Sequence, residues 1–403
     1  MRLVIRRKRY WSEEDKDRAF SRFICVYFVL DNLNSVVQDV FGITGTALTT
    51  IKVLLAGTIF FFLLRPMFHF TKREWNTLFF AEILGSLAYI YSLFVGVDGK
   101  TLLGWAATTL GVCIPICVAV YLIRDKKILY KMMVNHSFLI FALLVLDMTA
   151  NITNKRYDLH FSYALLLVIL LHLNELINGK SKLYLLTIVS GCVMLVLFGS
   201  RGTFLCIGLF LIMKVFTNIE SITRRIVYTL LLVAVFAGIW WVSNNEIIVY
   251  NFFASMGFKS RTLRLIAEGS FLSHDSGRSE LWAAVNKAIR ARTLLGWGVR
   301  GAVDLMDGHP YPHQFFLDLW LSFGVPVGTI VMILLTVPVR RVLTEPKGAR
   351  KDMMQIFFCV GFFPLMYSNT LFICQYYFVL LGLVFSGKKM WARRKYHELE
   401  EDN

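Results

Sequence analysis

Residues 183–216 read LYLLTIVSGCVMLVLFGSRGTFLCIGLFLIMKVF, two apolar runs parted only by Gly199-Ser200-Arg201-Gly202. A helix rises 1.5 Å per residue, so a hydrocarbon layer of ~30 Å takes about 20 apolar residues. Two runs near that length, folded back on a four-residue turn, read as short membrane spans joined at one face of a bilayer. The pattern recurs along the chain. Apolar runs start near Phe20, Gly45, Thr77, Thr101, Leu129, His160, Leu183, Thr203, Ile226, Pro312, Gln355 and Leu371, with charges gathered between them. The fold class expected is therefore all-α, a polytopic membrane helix bundle of about twelve spans. Residues 1–403 would form a single integral membrane domain.

Composition agrees. Of 403 residues 56% are apolar and 17% charged, with a mean hydropathy of +0.58, whereas soluble domains carry nearer ~25% charge. Disordered, collagen-like and conventional soluble enzyme classes are excluded. The net charge of +16 would suit nucleic acid, but its distribution follows topology. With the N-terminus inside, 29 Lys and Arg fall on inside segments and 12 outside, eight of these within Ser243 to Tyr311. Short loops weigh most in the positive-inside rule. Both termini are thus expected to be cytoplasmic, with the bilayer as partner and no nucleic acid. The seven cysteines lie inside apolar runs, and none is placed for an external disulfide. Cys113 and Cys117 are one turn apart, but no further metal ligand lies near them in sequence.

About seventy residues, 243–311, separate spans nine and ten on the outside, far beyond the ~2–8 residues of ordinary helix connections. Within them residues 279–293 read as an amphipathic helix: Leu281, Trp282, Val285, Ala288 and Ile289 form an apolar stripe, while Lys287, Arg290 and Arg292 lie off it. Such a helix lies on the membrane surface or closes a cavity mouth as part of the active site.

Ionisable residues at the outer face are the candidates for chemistry. Arg201 sits on a tight external turn, where a snorkelling arginine is the plain alternative. Arg278 follows Asp275-Ser276-Gly277, where a surface ion pair with Asp275 or Glu280 is the plain alternative. His313 lies in Gly308-His309-Pro310-Tyr311-Pro312-His313-Gln314, expected within the first turn of span ten. Two arginines bind phosphate oxygens bidentately and keep their charge; a neutral histidine takes a proton from an attacking hydroxyl. Together they suit transfer from a lipid pyrophosphate to an alcohol without metal or other cofactor. Trp282, Trp297, Tyr311 and Trp320 could stack on sugar rings, though aromatics also gather at membrane interfaces.

The order Ser200-Arg201-Gly202, Gly277-Arg278-Ser279-Glu280-Leu281-Trp282, Leu294-Leu295-Gly296-Trp297-Gly298, His313-Gln314-Phe315-Phe316-Leu317 and Phe323-Gly324-Val325-Pro326-Val327-Gly328 resembles the O-antigen ligase and polymerase family of bacterial envelope glycosyltransferases. The resemblance implies a multi-pass protein of the bacterial cytoplasmic (inner) membrane. Such a protein moves a glycan from undecaprenyl pyrophosphate to an acceptor glycan, with inversion and without metal or nucleotide sugar. It also implies that Arg201 and Arg278 hold the donor pyrophosphate and that His313 is the base or orients the acceptor. Gln314 stands where the family usually has Asn, Ser322 where a carboxylate is common, and Thr293 where Pro is usual; Asp318 is the acid one turn before Ser322.

The activity expected is polymerisation of lipid-linked repeat units into O-antigen, capsular or exopolysaccharide, with a chain-length regulator and a flippase as further partners. A ligase acting on lipid A core or protein is the alternative within the class. A lipid-linked oligosaccharide flippase or other transporter is the alternative outside it. A transporter built from two six-span halves would show matching halves and a central connection, whereas Asn178 to Lys182 is short and no internal repeat is evident.

Overall fold

The computed structural model describes residues 11–154, 159–179, 181–198, 200–217, 222–255, 268 and 277–386. The basic stretches at both ends of the chain, with Gly199, Asp275 and Ser276, lie outside the described residues. Every regular element among the described residues is helical. Helices α1 Glu13–Asp39, α2 Gly45–Met67, α3 Lys72–Phe94, α4 Gly99–Leu122, α5 Lys126–Asn154, α6 Leu159–Ile177, α7 Leu183–Phe198, α8 Arg201–Thr217 and α9 Ile222–Asn244 run back and forth. A further apolar helix, α10 Glu246–Ser255, follows α9 directly, so the segment expected to be an external loop from Ser243 begins with helix. Then come α11 Arg278–Ala291, α12 Phe315–Thr344, α13 Ala349–Phe357 and α14 Gln375–Phe385.

Each of the twelve apolar runs coincides with helix, but among the described residues seven helices are long and apolar enough to cross a membrane by length and composition. They are α1 to α6 and α12; Leu183–Leu197 and Gln375–Phe385 are apolar but shorter. The expectation of twelve spans thus narrows to seven such helices.

Burial sorts these helices into a centre and a rim. The apolar window of α6 is 89% buried and that of α2 only 6%. A helix apolar all round belongs in a core, and α6 is that core, with Phe161, Leu165, Leu166, Val168 and Ile169 almost wholly inaccessible. On the rim, Phe60, Phe61, Phe79, Phe80, Ile83 and Leu87 point outward. An apolar surface of that extent is unfavourable in water; facing lipid it costs nothing, and the apolar helices suggest a membrane protein.

Charged side chains mark the helix ends. Ser12 opens α1 with a capping box: its hydroxyl accepts from the Asp15 N–H, and the Asp15 carboxylate accepts from the Ser12 N–H, both at 3.1 Å. Thr71 and Glu74 do the same for α3, and Glu74 also pairs with buried Lys16 at 3.3 Å. Each such cap is worth about 1 kcal/mol. Helix alternation places the starts of α1, α3, α5 and α13 at one end of the bundle. The starts of α4, α6, α8, α12 and α14 lie at the other.

Candidate active site

The site lies at the end of the bundle where α8, α12 and α14 begin, and is built on a break in α12. Gly324 takes φ 74°, ψ 165°, which L-residues rarely adopt. The break frees the carbonyls of Leu321 and Ser322, and these accept from Trp297 N–H at 2.8 Å and Gly298 N–H at 2.9 Å, while Val325 N–H donates to Thr293 O at 2.7 Å. Two motifs read separately in the sequence are therefore halves of one joint. A Cβ on Gly296 would meet Gly324 N at 2.4 Å, and one on Gly324 would meet Leu294 O at 2.2 Å. The departures Ser322 and Thr293 both act in the joint through their backbones. On its other side the segment reaches α3: Val299 N–H donates to Ser92 Oγ at 2.8 Å.

Onto this joint packs α11. Leu281, Val285, Ala288 and Ile289 are buried against Ala302, Met306 and Leu321, with Trp282, Trp297 and Trp320 around them, and Lys287, Arg290 and Arg292 stay exposed. The amphipathic stripe thus packs on protein. Gly277, at φ 76°, opens the helix and places Arg278 in its first position. One turn on, Trp282 Nε1–H donates to Pro312 O at 3.0 Å, which ties the helix to the residue preceding His313.

His313 stands just before the first turn of α12 and not within it, because Gln314 is the N-cap. The Gln314 Oε1 accepts from Leu317 N–H at 2.7 Å, leaving its amide NH₂ for other contacts. His313 has φ 54°, a left-handed backbone for a residue with a Cβ, and strain of this kind persists where surrounding contacts hold it. Its Nδ1 is 3.3 Å from Ser368 O. The acceptor is a carbonyl, so Nδ1 carries the hydrogen and Nε2 keeps its lone pair. Burial, the largest influence, pushes the His313 pKa below 6.5; the bond to Ser368 raises it, and the charges of Arg278 and His309 lower it.

Arg201 starts α8, behind a buried Ser200 whose N–H donates to Ser162 Oγ at 3.0 Å. Gly202 has no room for a side chain: a Cβ would lie 2.2 Å from the Tyr367 ring. The Tyr367 hydroxyl donates to Gly202 O at 2.9 Å, and the next residue, Ser368, holds His313. One dipeptide therefore links the Arg201 turn to the histidine, while the charge of Arg278 acts on the same imidazole. Arg201, Arg278 and His313 are brought to one region.

The segment that does this, 364–374, reads in the sequence only as the passage between the last two apolar runs, with no part in the site. It is pinned along its length: Tyr163 and Ser368 hydroxyls bond each other, Thr370 Oγ1 donates to Asp318 Oδ2 at 2.6 Å, and Thr109 Oγ1 donates to Phe372 O. Asp318 is thereby buried and turned to Thr370. The available signal was Pro364 and the polar run Ser368-Asn369-Thr370 between two apolar stretches. Tyr311, expected near the site, lies 4.4 Å from His313; unforeseen is Trp105, 6.0 Å from Tyr311, which extends an aromatic row out from the histidine. Arg300 caps the row, 5.2 Å over Trp105, with Nη1 on Thr101 O at 3.2 Å.

The molecule is thus of the class of helical membrane proteins that carry arginines and a histidine at one bundle end. Residues 185–332, a little over a third of the chain, match the family model described as O-antigen ligase. This match supports placing the chain in the O-antigen ligase-like family, and it points to a glycosyltransferase-like enzyme of membrane glycans. No curated protein and no solved structure matches the chain. The matched segment includes Arg201, Arg278 and His313 and stops short of Tyr367, Ser368 and Thr370.

Proposed function

We propose that the chain polymerises undecaprenyl-pyrophosphate-linked oligosaccharide repeat units into O-antigen, capsular or exopolysaccharide, on the outer face of a bacterial cytoplasmic membrane with both termini inside. The observation that carries this reading is the 3.3 Å approach of His313 Nδ1 to Ser368 O, which in the neutral ring leaves Nε2 as the acceptor. An acceptor sugar hydroxyl gives its proton to Nε2 as its oxygen bonds to the anomeric carbon of the donor. The bond from that carbon to the pyrophosphate oxygen breaks on the opposite face, which inverts the centre. The electron pair leaves on the lipid pyrophosphate.

Arg201 and Arg278 hold that leaving group, whose charge grows in the transition state. Their guanidinium groups supply the positive charge that the leaving pyrophosphate needs. Tyr311, Trp282 and Trp105 give the sugar rings faces to stack on, and the Gln314 amide gives a donor. Polymerase and ligase share this donor chemistry and differ in acceptor. Incubating purified protein with a synthetic undecaprenyl-pyrophosphate repeat unit decides between them: a ladder of products supports polymerisation. One transfer to an added lipid acceptor supports ligation, and transbilayer movement without transfer supports transport.

A further inference from the structure

At the end of α12 away from His313, the α4–α5 turn, the α12–α13 turn and the residue after α14 enclose a cavity of about 210 Å³. Its lining carries five basic side chains, Arg124, Lys126, Lys127, Lys347 and Arg350, against two carboxylates, Asp125 and Glu345. The excess of basic groups is built in. Lys126 is buried, with Nζ donating to Val120 O at 2.7 Å and also to Ile123 O. Arg350 donates through Nε and Nη2 to Leu383 O at 3.1 and 2.8 Å and through Nη1 to Glu345 at 2.9 Å. Arg124 Nε lies 2.8 Å from a Glu13 carboxylate oxygen. These contacts fix basic side chains in the wall, while Lys127 and Lys347 are exposed at the rim.

Gly348 opens α13 without a side-chain cap, so the cavity is also lined by the start of a nine-residue helix, whose N–H groups and dipole favour an anion. The volume is below the ~300–1,000 Å³ of drug-sized ligand sites and suits a small charged group. Beside it in the chain, Leu343 before Glu345 and Phe385 before Ser386 are exposed apolar side chains. They offer a surface that a free ion would not use and an acyl chain would.

We propose that this cavity binds a phosphate group, that of an anionic phospholipid whose tails run past Leu343 and Phe385. The site is separate from the transfer chemistry and does not rest on it. The test uses the full-length protein in phosphatidylcholine vesicles with and without phosphatidylglycerol, and in neutral detergent with and without inorganic phosphate, with the thermal midpoint as readout. Phosphatidylglycerol is expected to raise the midpoint of the parent protein, since a ligand of the folded state stabilises it. K127Q/K347Q should lose that rise, and K72Q/R73Q, at the same bundle end but outside the cavity, should keep it. A rise with inorganic phosphate larger than that with the lipid overturns the headgroup in favour of a soluble phosphate. No rise with either, or equal loss in both variants, overturns the site.

Discussion

His313 Nδ1 faces the backbone carbonyl of Ser368 at 3.3 Å, so a residue 55 positions further along decides which imidazole nitrogen can accept a proton. A side-chain acceptor could be removed by substitution; a carbonyl stays wherever its segment is held. The bonds of Tyr367 to Gly202 and of Thr370 to Asp318 are therefore part of how the histidine is positioned, and they make its environment testable from several sides.

His313→Ala is expected to lower transfer by about 10²–10⁴-fold, the usual worth of a positioned general base, with donor binding still measurable. A purified variant of normal activity would remove His313 from the chemistry.

The pH profile follows from the same site. In the proposed reaction the neutral imidazole is the base, and burial first, then the charges of Arg278 and His309, hold its pKa below 6.5. The transfer rate should be flat through neutral pH and fall only as pH drops below that value. Arg278→Gln removes one of the charges that lower the pKa, so the acid limb of its residual rate should move to higher pH. A limb at an unchanged pH would show that the arginine's charge does not reach the base.

Arg201→Ala and Arg278→Ala should each lose roughly 10²–10³ in rate as donors to developing phosphate charge, measured on protein of normal abundance. Lysine at either position should also fail, because a point charge does not replace the bidentate fork.

Gly296→Ala tests the joint between the segment after α11 and α12. The added carbon would sit 2.4 Å from Gly324 N, against backbone that cannot yield as a side-chain tip can. Overpacking of this kind costs about 1–3 kcal/mol or more. A lower thermal midpoint and loss of transfer are expected together; an unchanged midpoint would mean the joint is looser than its geometry.

Thr370→Val keeps the shape of the side chain and removes the donor to buried Asp318. A buried acceptor left without its donor costs about 1–3 kcal/mol, so denaturant unfolding should show a loss of that order. If the variant also loses rate with its substrate affinity kept, Thr370 acts through the segment that holds His313.

Hydropathy alone carried much of the architecture. Period and length place a helix on every apolar run, because in a helix the backbone satisfies its own hydrogen bonds and the side chains need only match their surroundings. The stripe Leu281, Val285, Ala288, Ile289 was legible for the same local reason, and so were Arg201, Arg278 and His313 as ionisable residues beside apolar runs. What hydropathy leaves open is which helices are centre and which are rim: α6 and α2 are both apolar, yet one is almost wholly enclosed and the other faces outward.

The sequence by itself determined the helices, the amphipathic segment and the three polar side chains on which the proposed chemistry rests, since each depends on residues within a few turns of one another. Only the tertiary structure decided that Gly296 and Gly324 meet, that the Arg278 helix packs on protein, and that Tyr367 and Ser368 join the Arg201 turn to His313. Those contacts unite residues up to 165 positions apart, as between Gly202 and Tyr367, and no periodicity carries information over that range. The imidazole tautomer belongs with them: it is set by a backbone carbonyl, a group every residue has, and only the fold decides which one stands beside the ring.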